Sequence, residues 1–153
     1  MKSPALRLLG RLFLAAALLY VALGFAVVAV LSKPQRNFDT SKNPGQLGLI
    51  YQDVRFPARG GDAQLAGWYL PHDSHRAALV MVHGKDGSRT NEQHRRNLEF
   101  LDALHKQGFA LLAIDLRGHG QSSDARFSFG VHESRDVLGG VDYLTGQGYS
   151  RSE

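Results

Sequence analysis

Two glycine-rich loops contain the residues whose types and spacing could do chemistry. One is His83-Gly84-Lys85-Asp86-Gly87-Ser88, and the other is Asp115-Leu116-Arg117-Gly118-His119-Gly120-Gln121-Ser122. Glycines beside exposed amides let a backbone N–H approach a substrate oxygen closely, which is how developing negative charge is stabilised in acyl transfer. Three rival constellations are weaker. His72-Asp73-Ser74-His75 has a chelating His-x-x-His spacing without an evident third ligand, so it reads as a solvated loop and no metal is expected. Gly118-x-Gly120-x-x-Ser123 lacks the third glycine of a dinucleotide fingerprint, and no helix opens promptly after it, so no cofactor is expected. Ser122, His132 and Asp136 supply the residue types of a triad, but a triad is defined by geometry and not by composition. With no Cys in 153 residues, a disulfide scaffold, a thiolate metal site and a cysteine nucleophile are all excluded.

The formal charge of +4 is unevenly placed. Residues 1–42 carry six Lys or Arg and one acid, whereas residues 43–153 carry twelve Lys or Arg and thirteen acids. The folded part is therefore close to neutral. Its one basic run, His94-Arg95-Arg96, reads as a solvated helix face, so nucleic acid is not expected as a partner.

The elements that must position these loops follow from hydrophobic patterning. Residues 1–11 form a basic flank. Residues 12–31 are twenty uncharged residues with six Leu, four Val and two Phe. Twenty helical residues reach about 30 Å, the thickness of the hydrocarbon core. This segment is expected to be an uncleaved signal-anchor that partners the lipid bilayer, since it is longer than a signal-peptide core and ends without a small-x-small site. Lys2, Arg7 and Arg11 before it favour an N-terminus inside, which would put the body outside the cytoplasm in a single-pass arrangement. Residues 32–47, with Lys33-Pro34 and Asn43-Pro44-Gly45, read as a polar linker before a domain over 48–153.

Within that domain, residues 49–56 and 65–70 read as strands joined by the turn Arg59-Gly60-Gly61-Asp62, a hairpin. Residues 77–82 and 109–114 are short continuous apolar runs, as expected of strands buried on both faces of a parallel sheet. Helices are expected over 91–107, with Leu98, Leu101 and Leu104 on one face, and over 131–145, with Val137, Leu138, Val141 and Leu144. Gly139-Gly140 in the second suggests close packing on the sheet. A hairpin followed by strand–helix–strand–helix defines an α/β class with right-handed crossovers.

This order of elements, with His-Gly after one strand and Asp-x-Arg-Gly-x-Gly-x-Ser after the next, resembles the α/β-hydrolase family. Tyr51-x-Asp53-Val54-x-Phe56 and Leu65-x-Gly67-Trp68-Tyr69-x-Pro71 are similar to the opening hairpin of its membrane-anchored serine-hydrolase branch, a serine esterase/aminopeptidase-like group. The resemblance covers about residues 45–149. It implies a partial α/β-hydrolase sheet, an antiparallel hairpin and then parallel strands with crossover helices, preceded by one transmembrane helix. It also implies an oxyanion loop of His83, Gly84 and Lys85, in which the Lys85 backbone N–H is the donor. His83 is expected to pack below the site, and His119 is not the expected catalytic base.

The same resemblance implies a Gly-x-Ser-x-Gly elbow, then an acid, then a His, acting on a small acyl substrate in the full-length relative. No Gly-x-Ser-x-Gly occurs in the sequence. Arg126-Phe127-Ser128-Phe129-Gly130 comes nearest, but has Arg where the turn needs a small residue. Ser122, His132 and Asp136 would lie on the wrong loop of such a fold. The expectation is thus a fragment truncated before the nucleophile elbow, carrying the oxyanion loop but not the triad and inactive alone. The alternative is a non-catalytic, membrane-anchored binding or scaffold module of α/β fold.

Overall fold

The computed structural model describes residues 3–74, 77–92 and 96–150, which divide into two units, residues 1–33 and 34–153. The first is helix α1, Pro4–Leu31. Pro4 suits the first turn because its missing N–H would have no intrahelical partner there, and Ser3 caps the helix by accepting the Leu6 N–H at 3.3 Å. Its mean hydropathy reaches 2.7, so α1 is long and apolar enough to cross a membrane.

The second unit is a four-stranded mixed sheet between two helices. Its strands are β1 (Gln52–Pro57), β2 (Gln64–Leu70), β3 (Ala77–Met81) and β4 (Phe109–Asp115), and its helices are α2 (Asn97–Lys106) and α3 (Glu133–Gly146). The spatial order is β1-β2-β4-β3. β1 and β2 form the expected hairpin, with Phe56 opposite Leu65 and positive φ at Gly60 and Gly61 in the turn. β4 runs antiparallel to β2 and parallel to β3.

Period-two alternation sends successive β4 side chains to opposite faces. Leu112 and Ile114 join Phe56, Leu65, Tyr69 and Leu144 on the α3 side. Leu111 and Ala113 join Trp68, Leu70, Leu98 and Leu101 on the α2 side. β4 is buried on both faces as expected. β3 is not: it is half-buried throughout, and Val82 beyond it is 44% exposed, because β3 is an edge strand with one neighbour.

Both helices differ from expectation in instructive ways. α2 begins at Asn97, not near Asn91, because Asn91 and Glu92 are used as side-chain acceptors by the preceding loop. Of the run His94-Arg95-Arg96, only Arg96 is among the described residues; it is exposed and caps α2. α3 runs from Glu133 to Gly146 with Leu138 turned outward, while the glycine pair faces the sheet. A Cβ on Gly139 would lie 2.5 Å from the Pro57 carbonyl oxygen and 2.9 Å from Ala58 Cα. Backbone cannot move aside as a flexible side chain can. Gly139→Ala is therefore expected to cost about 1–3 kcal/mol of stability, read from the shift in a urea denaturation curve.

The segment expected as a linker, 32–47, is from Pro34 onward part of the second unit. Residues 34–42 form a strap along the domain. The Arg36 guanidinium donates to the carbonyls of Gly120 (3.1 Å) and Ser122 (2.8 Å) and pairs with Asp124 at 2.6 Å. After the strap, residues Pro44–Leu47 make a 3-10 turn against α2.

Candidate active site

β3 and β4 are parallel, so the loops that follow them emerge at the same end of the sheet, where ligands bind in open α/β folds. Asp115, fully buried at the end of β4, organises both. Its carboxylate accepts the Arg89 amide and the Gln121 amide, each at 2.9 Å, and is ion-paired with the Arg89 guanidinium. A Cβ on Gly120 would fall 2.1 Å from this carboxylate, so the loop needs Gly there, where φ is also positive at 45°. Ser122 Oγ donates to the Asp115 carbonyl at 2.6 Å and accepts from the Ala66 amide at 2.9 Å.

Two buried imidazoles, 5.0 Å apart between centroids, stitch the loops together. The Leu116 N–H donates to His83 Nε2 at 3.0 Å, so that nitrogen is unprotonated and Nδ1–H donates to the Gly84 carbonyl at 2.7 Å. His119 repeats the pattern: Nε2 accepts from the Asp86 N–H at 3.1 Å, and Nδ1 faces the Arg117 carbonyl at 2.9 Å. Both rings hold backbone, and neither presents a free nitrogen for proton transfer.

Burial, which penalises the cation, holds the His83 pKa below its ordinary value, with the neighbouring His119 acting in the same direction. The stability consequence has a definite sign. Below about pH 6.5 the unfolded chain takes up a proton that folded His83 refuses. The contribution is thus complete above that pH and is lost as pH falls towards the folded value. The thermal midpoint is expected to drop between pH 7.5 and 5.5, and less steeply in His83→Phe.

Arg117 performs the corresponding task toward α3. Its guanidinium meets Asp136 at 2.8 Å and, bidentately, Asp62 at 3.0 and 3.1 Å, and its amide donates to Asp136 Oδ2. Burial lowers the Arg117 pKa, but the hydrogen bonds with Asp62 and Asp136 outweigh this and raise it overall. Asp136 is therefore occupied, and the Ser122 hydroxyl is committed to Asp115. Ser122, His132 and Asp136 do not form a triad.

The loop after β3 distributes its amides unequally. Gly84 N–H donates to Glu92 Oε1 (2.6 Å), Asp86 N–H to His119, Gly87 N–H to the Gly84 carbonyl (3.1 Å) and Ser88 N–H to Asn91 Oδ1 (2.7 Å). In this run only the Lys85 N–H has no acceptor among the described residues. The Lys85 ammonium is turned to Asp86, 2.5 Å away, and lowers the pKa of that carboxylate. Asp86 itself is left-handed, with φ 62°.

The motif reading missed Arg89 and Glu92, which hold the loop from positions outside it, and the contacts of the strap. The Asp86-Gly87 dipeptide is the sequence signal for the tight turn, since Asp tolerates positive φ. Of His72-x-x-His75, His75 lies outside the described residues, and His72 Nδ1 accepts the Ser74 N–H. Among the described residues no group of three His, Cys, Asp or Glu could hold a metal ion.

Residues 73–145 match the family described as serine aminopeptidase, S33 (Hydrolase_4). An esterase of Pyrococcus furiosus superposes with a TM-score of 0.67 at 28% identity, covering 76% of this chain and 42% of its own; a second crystal form gives 0.65 at the same identity. The chain has the α/β-hydrolase fold. An α/β-hydrolase from Penicillium shares that fold at 21% identity, with a TM-score of 0.54 over 63% of this chain and 32% of its own. The chain thus spans about two-fifths of the esterase's length. No curated protein matches it. Within the α/β-hydrolase fold, the order β1-β2-β4-β3 puts the loops after β3 and β4 side by side.

Proposed function

We propose that this chain is the oxyanion-loop portion of a membrane-anchored serine hydrolase that cleaves an ester or amide bond. The observation that carries the reading is the uncommitted Lys85 amide: its neighbours in the run from Gly84 to Ser88 are all hydrogen-bonded, and this one has no acceptor among the described residues. A preorganised backbone donor costs no reorganisation when charge develops on a substrate oxygen. The His83 and Gly84 contacts fix the peptide geometry on either side, so these residues act through the loop's shape. The nucleophile, acid, base and second oxyanion donor are supplied by residues outside 1–153. α1 anchors the domain in the bilayer, with the N-terminus inside and the body extracytoplasmic.

Two measurements test this. The chain alone, incubated with a fluorophosphonate, is expected to remain unlabelled; a labelled serine would overturn the division of roles. In a protein extended through a strand and Gly-x-Ser-x-Gly elbow, Lys85→Pro deletes the donor and is expected to lower kcat about 10²–10³-fold on a p-nitrophenyl ester. Lys85→Ala, which keeps the amide, should leave kcat near the parent value. Equal losses in both variants would assign the work to the ammonium instead.

A further inference from the structure

The strap touches the oxyanion loop at one residue from two sides. The Gln35 N–H donates to Asp86 Oδ1 at 2.8 Å, and the Asn37 side-chain amide donates to the Asp86 carbonyl at 3.0 Å. On the opposite side the Asp86 N–H is held by His119. A third tie lies further along, where the Asp39 N–H donates to Thr90 Oγ1 at 3.1 Å, and Phe38 lies 4.8 Å from the Arg89 guanidinium.

Asp86 has a positive φ, uncommon for a residue with a Cβ; Asp tolerates it, and the surrounding contacts help to specify it. Its backbone N–H, its carbonyl and its carboxylate are each engaged, two of the three by the strap. The peptide that carries the Lys85 N–H is one residue away, so rotation at Asp86 would re-aim it.

We propose that Gln35 and Asn37 are positioning residues for the oxyanion loop: by holding Asp86 left-handed they fix the peptide that carries the uncommitted Lys85 N–H. The strap's contacts with Asp86 stand independently, but their catalytic meaning rests on Lys85 being the oxyanion donor. Residues 34–42 are thereby a working part of the site, and not a spacer between α1 and the domain. Arg36 ties the same strap to Gly120 and Ser122 in the second loop, so one segment aligns both loops with each other.

The test uses the full chain in detergent micelles, with amide hydrogen exchange and 1H–15N spectra as readouts, so it does not depend on hydrolysis. Asn37→Ala is expected to speed exchange at Asp86 and Gly87 at least tenfold and to shift the Lys85 resonance, with the β4 amides Leu111 to Ile114 unchanged as the folding control. Asn37→Asp keeps the side-chain size but replaces the donor with an acceptor facing the Asp86 carbonyl, and should reproduce the effect without a packing defect. Asp86→Asn gives up the ion pair with the Lys85 ammonium but retains both the acceptor for Gln35 and the tolerance of positive φ, and should keep slow exchange at Asp86 and Gly87 where Asp86→Ala does not. Unchanged exchange at residues 85–87 in Asn37→Asp, or a rise shared equally by β4, overturns the proposal. The Lys85→Pro result on kcat bears separately on the oxyanion assignment, so the two ideas fail independently.

Discussion

Asp115→Ala is expected to destabilise the domain by about 3–5 kcal/mol, because it leaves the buried Arg89 charge without its partner. Arg89 is 3% exposed and Asp115 is fully buried, and they form a direct ion pair. Burial lowers the Arg89 pKa, and the charges of Asp115 and Asp53 oppose that shift. Asp53, 3.7 Å from Arg89, is largely exposed and cannot replace the lost carboxylate. The Arg89 Nε–H has no acceptor among the described residues, so the guanidinium is already incompletely paired. Asp115 additionally caps the Arg89 and Gln121 amides, and these become unsatisfied as well.

A guanidinium denaturation series on the full chain would measure the loss. Asp115→Asn should fall between the parent and Asp115→Ala, since it keeps an acceptor but loses the charge. Arg89→Met combined with Asp115→Ala should recover part of the difference, because no buried charge remains, although the Arg89 and Gln121 amides stay unsatisfied. A single-variant loss below 1 kcal/mol, or strict additivity in the double variant, would show that the pair does not organise the two loops.

Trp68→Ala is expected to cost a comparable amount, about 3–5 kcal/mol. Trp68 is 2% exposed near the end of β2, between the β1 and β4 neighbours Asp53 and Ala113. Its indole meets Tyr51 edge-on at 6.1 Å and lies 5.0 Å from the Arg89 guanidinium carbon. Removing it opens a cavity on the α2 face and strips one aromatic surface from a buried cation, so packing and cation–π contributions are lost together. Trp68→Phe should restore part of the stability. Equal unfolding midpoints for Ala and Phe would mean that the site had collapsed around the lost volume.

These two residues show where the sequence could be read and where it could not. Trp68 belongs to the Leu65-x-Gly67-Trp68-Tyr69 pattern, and its strand follows from β-propensity and the flanking turn residues. Arg89 appears in the sequence as an ordinary loop cation. Its burial depends on Asp115, twenty-six residues away, arriving at the end of the neighbouring parallel strand. The pair Gly139-Gly140 points to close packing in the sequence, but the partner atoms, in Pro57 and Ala58 for one and Val80 and Leu112 for the other, come from distant segments. Leu138 is turned outward for a related reason: helical spacing alone cannot tell which arc of α3 faces the sheet when the contact is made by glycines.

The apolar helix, the hairpin, the order of strands and helices, and the two glycine-rich loops after β3 and β4 were determined by the sequence itself. Each depends on hydrophobic period, run length or turn chemistry within some twenty residues. Tertiary structure alone decided three things: that β3 is a half-buried edge strand, that residues 34–42 are a strap and not a spacer, and that Lys85 keeps its amide uncommitted while its neighbours do not. All three are questions of partnership between distant segments. An N–H carries the same donor whether or not an acceptor meets it, so only the folded arrangement reveals which one is left uncommitted.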